Sequence, residues 1–142
     1  MSNETLRQKQ SRFARAVPKL IDYAFALGYD VTLGEVYRSD EQAEINAIGF
    51  DGRKQVAQLI GAQFPLLARK LTNNGGNGVR NSVHMLRLAI DLQLFDLAGK
   101  WVQDVYPYSL LGEFWESLDK DHRWGGRFKD APHFSIEHEG VK

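Results

Sequence analysis

The stretch SVHMLRLAIDLQLF, residues 82–95, decides the fold. From Leu88 its parity is that of a half-buried strand. Leu88, Ile90, Leu92 and Leu94 share one face, and Ala89, Asp91, Gln93 and Phe95 share the other. An acid within this apolar run, and a histidine just upstream, call for a reason. Seven residues of strand cover about 23 Å, so His84 and Asp91 cannot meet on one ion if the whole segment is extended. A continuous helix would put them on one face but about 10 Å apart. They can meet only if NSVHMLR (81–87) folds back onto the strand that holds Asp91. The Asp91 face is then the site face.

The rest of the chain supplies helices and short strands around this one. Residues 3–27 read as a helix, with Phe13, Val17, Leu20, Ile21, Ala24 and Phe25 at helical spacing, so the N-terminal helical segment covers about 3–28. Pro18 is expected to bend or split it, and Gly28 to end it. YDVTLGEVYR offers Val31, Leu33 and Val36 as strand material, and Ser39 is placed to cap a short helix whose first turn holds Asp40 and Glu41. GFDGRK reads as a turn. Residues 53–71 read as helix with a break near Phe64, ahead of Pro65. NNGGNG (73–78) is the strongest loop signal. DLAGK reads as a hairpin turn into Trp101, residues 108–118 as an amphipathic helix with Leu111, Phe114, Trp115 and Leu118 inward, WGGRFKDAP as loop, and HFSIE as a final strand.

A chain of 142 residues suggests one domain, 1–142, large enough to bury a core without staples. It has no cysteine, so disulfides and thiolate metal sites are excluded and any metal site must use His and carboxylates. Lys plus Arg and Asp plus Glu both number 18, which gives no sign of a polyanion partner; nucleic-acid binding is not expected. The polar N-terminus lacks the apolar core of a secretory signal, and no stretch is long and apolar enough to span a membrane. The expectation is a protein made in the cytoplasm; if it acts outside, something else must let it out.

The second chemical signal is KDAPHF, with Asp130 three residues before His133 at a loop-to-strand junction. Two histidines and one carboxylate are a ligand set for catalytic zinc that leaves a place for water. A further carboxylate nearby can act as general base. Read alone, the same residues also fit a satisfied core histidine and a strand-end aspartate.

Three elements in order, GEVYRSDEQ, then S-x-H-x-x-x-x-A-x-D, then W-G-G followed by D-x-x-H-F, resemble the zinc D-alanyl-D-alanine carboxypeptidase / L-alanyl-D-glutamate peptidase family, to which phage endolysins and vancomycin-resistance D,D-dipeptidases belong. The resemblance covers roughly residues 30–137 and is nearest to single-domain phage endolysins. It implies an α+β fold, a small antiparallel sheet carrying a zinc site and covered by helices. It implies one Zn2+ held by His84, Asp91 and His133, with Asp130 as general base. Arg38 would bind a substrate carboxylate or carbonyl, or the oxyanion. Ser82 would steady the first ligand or touch substrate, and Trp124 would line the cleft. Two departures stand out. Arg87 occupies a position where many members have glycine, and Ser135 replaces an acid. Glu137, of the same strand parity as His133, is therefore an alternative base, although the spacing of Asp130 fits the motif better.

The implied substrate is a peptidoglycan stem peptide, rich in carboxylates and D-residues, which would suit Arg38 and Arg127. The implied activity is L-alanyl-D-glutamate endopeptidase in host lysis, by a monomer. The alternatives are a D-Ala-D-Ala carboxypeptidase or dipeptidase, or a zinc-stabilised virion or binding domain without turnover. Gln93 is a candidate partner for a ligand imidazole. Other residues have plainer readings. Arg38 could pair with Asp40 or Glu41, and Trp124 could be an aromatic plug. Trp115 and Phe114 belong to the core, His122 and His138 to the surface, and Arg7, Lys9, Arg12 and Arg15 to a solvated helix face.

Overall fold

The computed structural model describes residues 4–72 and 82–142; the NNGGNG loop lies outside the described residues. The first helix, α1 (Leu6–Ala26), begins where Thr5 can cap it. Thr5 Oγ1 accepts the Gln8 N–H at 3.2 Å and Gln8 Oε1 accepts the Thr5 N–H at 2.9 Å, so two donors left free at the helix start are satisfied reciprocally. Phe13, Ala16, Leu20 and Ala24 recur every three or four residues and are buried. Pro18 does not split α1. It lies on the exposed side, where the carbonyl that loses its donor can turn to water. Gly28, at φ 92°, ends the helix, with its N–H on the Phe25 carbonyl and the Tyr29 N–H on that of Ala24.

Strand β1 (Asp30–Leu33) follows and stops short of Val36. Ser39 caps α2 (Asp40–Ala47) through the Gln42 N–H at 3.1 Å. The turn expected at GFDGRK is a correction, because these residues open α3 (Gly49–Ile60). A single left-handed residue, Gly49 at φ 76°, reverses the chain and makes a longer turn unnecessary. The break expected ahead of Pro65 separates α3 from α4 (Pro65–Thr72). Buried Arg53 ties the two, donating from Nε to the Leu71 carbonyl at 3.0 Å.

The remaining elements are β2 (Ala89–Phe95), α5 (Val105–Leu118), β3 (His122–Trp124) and β4 (His133–Ile136). The sheet order is β1–β2–β4–β3, antiparallel throughout. This is the α+β class expected, although β3 was not anticipated. The DLAGK turn forms as read, with the Asp96 N–H on the Lys100 carbonyl at 2.9 Å. Leu88, Leu92 and Leu94 are fully buried and Ile90 nearly so, as the parity of β2 requires. They pack with the inner faces of α1 and α5, where Phe13 meets Trp115 edge-on and Tyr23 stacks on Phe114. Each such side chain contributes about 1.5–3 kcal/mol by leaving water. Trp115 is fully buried with its indole N–H satisfied by the Ser135 carbonyl at 2.8 Å, which joins α5 to β4 beside the site.

Candidate metal centre

The fold-back ahead of β2 is a short 3-10 helix, Val83–Leu86. Ser82 caps it, its Oγ accepting the His84 N–H at 3.2 Å, and so steadies the first candidate ligand directly. Arg87 ends it in the left-handed region at φ 56° and sends the chain into β2. His84 is thereby buried against the start of the strand that carries Asp91. Across the sheet, Asp91 on β2 stands opposite His133 on β4. The 34–38 segment locks both sides of this arrangement. The Gly34 N–H donates to the Asp91 carbonyl at 2.7 Å, and the Asp91 N–H donates to the Glu35 carbonyl at 2.8 Å. The Arg38 N–H donates to the His84 carbonyl at 3.2 Å, and Val36 O lies 3.3 Å from His84 Nδ1. A β-carbon at Gly34 would lie 3.0 Å from Asp91 Cβ, so this close approach favours glycine.

His84 Nε2 and His133 Nδ1 are 3.1 Å apart, and Asp91 Oδ1 is 3.3 Å from the first and 3.4 Å from the second. A tetrahedral ion with ligand bonds of about 2.0–2.1 Å separates its donor atoms by about 3.3–3.4 Å. The triangle therefore has the size that one small ion needs. Asp91 Oδ1 is buried and, among the described residues, no hydrogen bond of acceptable geometry reaches it. An orphaned carboxylate oxygen between two imidazole nitrogens suits a shared cation better than it suits hydrogen bonding. Electrostatics agree. Burial opposes charge on Asp91, yet the facing His133 and His84 rings hold its carboxyl well below the usual carboxylate range. Burial also opposes a charged His84, and Asp91 more than compensates, raising its pKa.

Asp130 approaches from the loop before β4, its Oδ2 3.9 Å from His133 Nδ1 and its side chain about half exposed. Burial raises its pKa and the charge on Asp91 adds to this, against the pull of His133. The loop is shaped by glycine. The Asp130 N–H donates to the Gly125 carbonyl at 2.8 Å, and a β-carbon on Gly125 would lie 2.1 Å from the Asp130 carbonyl oxygen and 2.6 Å from His133 Cβ. The structure thus brings His84, Asp91, His133 and Asp130 together, with Ser82 behind the first.

Arg38 is close enough for Asp91 and Asp130 to help raise its pKa, but its partner is Glu35 and not Asp40 or Glu41. Nε and Nη2 grip the two Glu35 oxygens at 2.6 and 2.7 Å. Trp124 does not line a cleft. It is 5% exposed, its indole N–H is held by the Ala131 carbonyl at 2.8 Å, and Gly112 and Gly126 leave room for its ring. Glu137 is engaged by Arg123 at 2.8 Å and is not part of the donor cluster. Ser135 is fully buried, where an acid would carry an unpaired charge. Gln93 does not serve a ligand imidazole; its Oε1 accepts from Trp101 Nε1 at 3.0 Å. Arg127 pairs with Glu116. His122 is 2% exposed, against the surface position expected, because it lies against Trp115 with ring centroids 4.1 Å apart.

Three contributors have no sequence signal of their own. They are the Val36 carbonyl, the Glu35 brace on Arg38, and Phe128, whose exposed ring meets His133 edge-on at 5.6 Å.

Fold and site together define an α+β domain with a His–Asp–His cluster of metal-ligand geometry. No family model matches the chain, and no curated protein matches it. Among solved structures it is similar to a mutant of the vancomycin-resistance D,D-pentapeptidase VanY from a VanB-type resistance cassette, in complex with Zn(II). The identity is 18% and the TM-score 0.49, over 88% of this chain and 70% of that one.

Proposed function

We propose that the chain is a zinc-dependent peptidase of peptidoglycan stem peptides, cutting the L-alanyl-D-glutamate bond in the manner of the phage endolysins it resembles. The observation that carries this reading is the donor triangle of His84, Asp91 and His133 with Asp130 at its edge. Bound there, zinc would acidify water and polarise a carbonyl. The chain's own groups supply the rest. Asp130, open to solvent on one side and raised in pKa, takes a proton from the attacking water and returns it to the leaving amine. Arg38, fixed by Glu35, offers a preoriented positive charge to the oxygen that becomes negative. Ser82 and the Val36 carbonyl hold His84 in place. On this reading the enzyme waits in the cytoplasm until a separate factor opens the way to the wall.

The test is digestion of purified peptidoglycan by metal-loaded wild type, by chelator-treated protein and by Asp130→Ala, with fragments read by mass spectrometry. The expected result is new L-alanine C-termini from the metal-loaded wild type alone. Released D-alanine would move the activity to the other bond. Intact wall with one zinc bound per chain would replace the enzyme with a zinc-stabilised binding domain.

A further inference from the structure

The site has two arginines close to His84, and they are not equivalent. Arg38 is held by both oxygens of Glu35, which fixes its guanidinium in one place. Arg87 is exposed, and among the described residues no carboxylate pairs with it. Its side chain rests on the ring of Tyr37, with the guanidinium carbon 4.2 Å from the centroid. Tyr37 is itself 49% exposed. The pair sits on the backbone that fixes the ligand. The Arg87 N–H and the Arg38 N–H both donate to the His84 carbonyl, each at 3.2 Å, and Tyr37 lies between Arg38 and Val36, whose carbonyl faces His84 Nδ1. Arg87 also holds a left-handed backbone, φ 56°, that a β-carbon disfavours and glycine takes freely. An exposed arginine without a carboxylate partner among the described residues, resting on an aromatic ring and joined through its backbone N–H to the His84 carbonyl, is free to receive a planar anion. Its fork of donors matches a carboxylate.

We propose that Arg87, held on Tyr37, receives a free carboxylate of the substrate next to the scissile amide, making it the residue that selects acidic over amidated stem peptides. This rests on the peptidase reading and adds the chemical class of the substrate group that the site requires.

The test uses two synthetic stem peptides that differ only in a carboxylate or carboxamide on the D-glutamyl residue. Each is given to the zinc-loaded wild type, Arg87→Gly, Tyr37→Ala and Tyr37→Phe. Glycine relieves the backbone at position 87, so Arg87→Gly is expected to keep its zinc content and to melt no lower than wild type. It should raise KM for the carboxylate peptide by about tenfold or more while changing kcat little, the signature of a lost charge-assisted contact. The carboxamide peptide should bind wild type and Arg87→Gly alike. Tyr37→Ala should give part of the same effect and Tyr37→Phe almost none. A wild type that cleaves both peptides with equal KM, or an Arg87→Gly with unchanged preference, overturns the inference and leaves the peptidase reading intact. A zinc-loaded wild type that cleaves neither overturns both.

Discussion

Asp130 stands 3.9 Å from His133 Nδ1 and is half open to solvent, whereas Glu137 is engaged by Arg123. We therefore expect Asp130→Ala to bind one zinc per chain, melt near the wild-type temperature and lose about 10²–10⁴-fold in kcat. Glu137→Gln should keep most of its activity; the reverse pattern in steady-state kinetics would exchange their roles. Gly125→Ala tests the loop that carries Asp130. Its new methyl group would meet the Asp130 carbonyl and His133 Cβ, so zinc affinity by competition with a chromophoric chelator should fall along with stability. The convergence of His84, Asp91, His133 and Asp130 was legible because metal chemistry restricts the residue types and the motif restricts their spacing. For Trp124 the sequence offered a cleft wall or an aromatic plug, and the plug forms. It depends on neighbouring Gly126 and on Gly112 of α5, both of which leave room for the indole. The sequence around residue 124 shows Gly126 but cannot show Gly112. The same holds for His122, which is buried by Trp115.

Between elements, the N-terminal helix is fastened to the turn between α5 and β3. Arg12 reaches Glu4 at 3.0 Å, Asp121 at 2.6 Å and Asp119 at 3.4 Å. This gives partners to Arg12 and, through Asp121, to Lys9, where the sequence alone suggested only a solvated face. These groups are partly exposed, so we expect Arg12→Ala to cost about 1 kcal/mol in denaturant unfolding. His122 adjoins this cluster. Burial lowers its pKa, outweighing the pull of Asp121, while Arg12 reinforces the drop. Its folded pKa is below the unfolded value, so the unfolded chain binds the extra proton as pH falls. The stability that this residue contributes is complete above the unfolded pKa of about 6.5 and is lost below it. Asp121 has the same sign at lower pH. Burial raises its pKa, but the Arg12 bonds overcome that and hold it below the usual carboxylate value. Melting temperatures from pH 7.5 to 5 should fall less for His122→Phe than for wild type, and this difference removes the opposite contribution of His84. Helix and strand identities were mostly legible from apolar periodicity. What escaped were features set by one residue or by a distant partner: the reversal at Gly49, and the three-residue β3, which exists only because β4 lies beside it.

Over the whole molecule, the order β1–β2–β4–β3 turns three sequence elements that lie far apart in the chain into one site. The segment after β1 clasps the backbone of Asp91 and His84, β2 and β4 set Asp91 opposite His133, and the glycine loop returns Asp130 to the same edge. The helices α1 and α5 pack against the opposite, leucine-rich face and leave the edge with the donor cluster uncovered by them. The measurement that addresses the proposed zinc centre most directly is zinc K-edge X-ray absorption on protein loaded with one equivalent of zinc, for wild type and His133→Ala. We expect a wild-type spectrum with two imidazoles and light oxygen donors, and the loss of one imidazole in the variant. A wild-type spectrum with no imidazole scattering, or one unchanged by His133→Ala, would contradict the assignment of His84, Asp91 and His133 as the ligands.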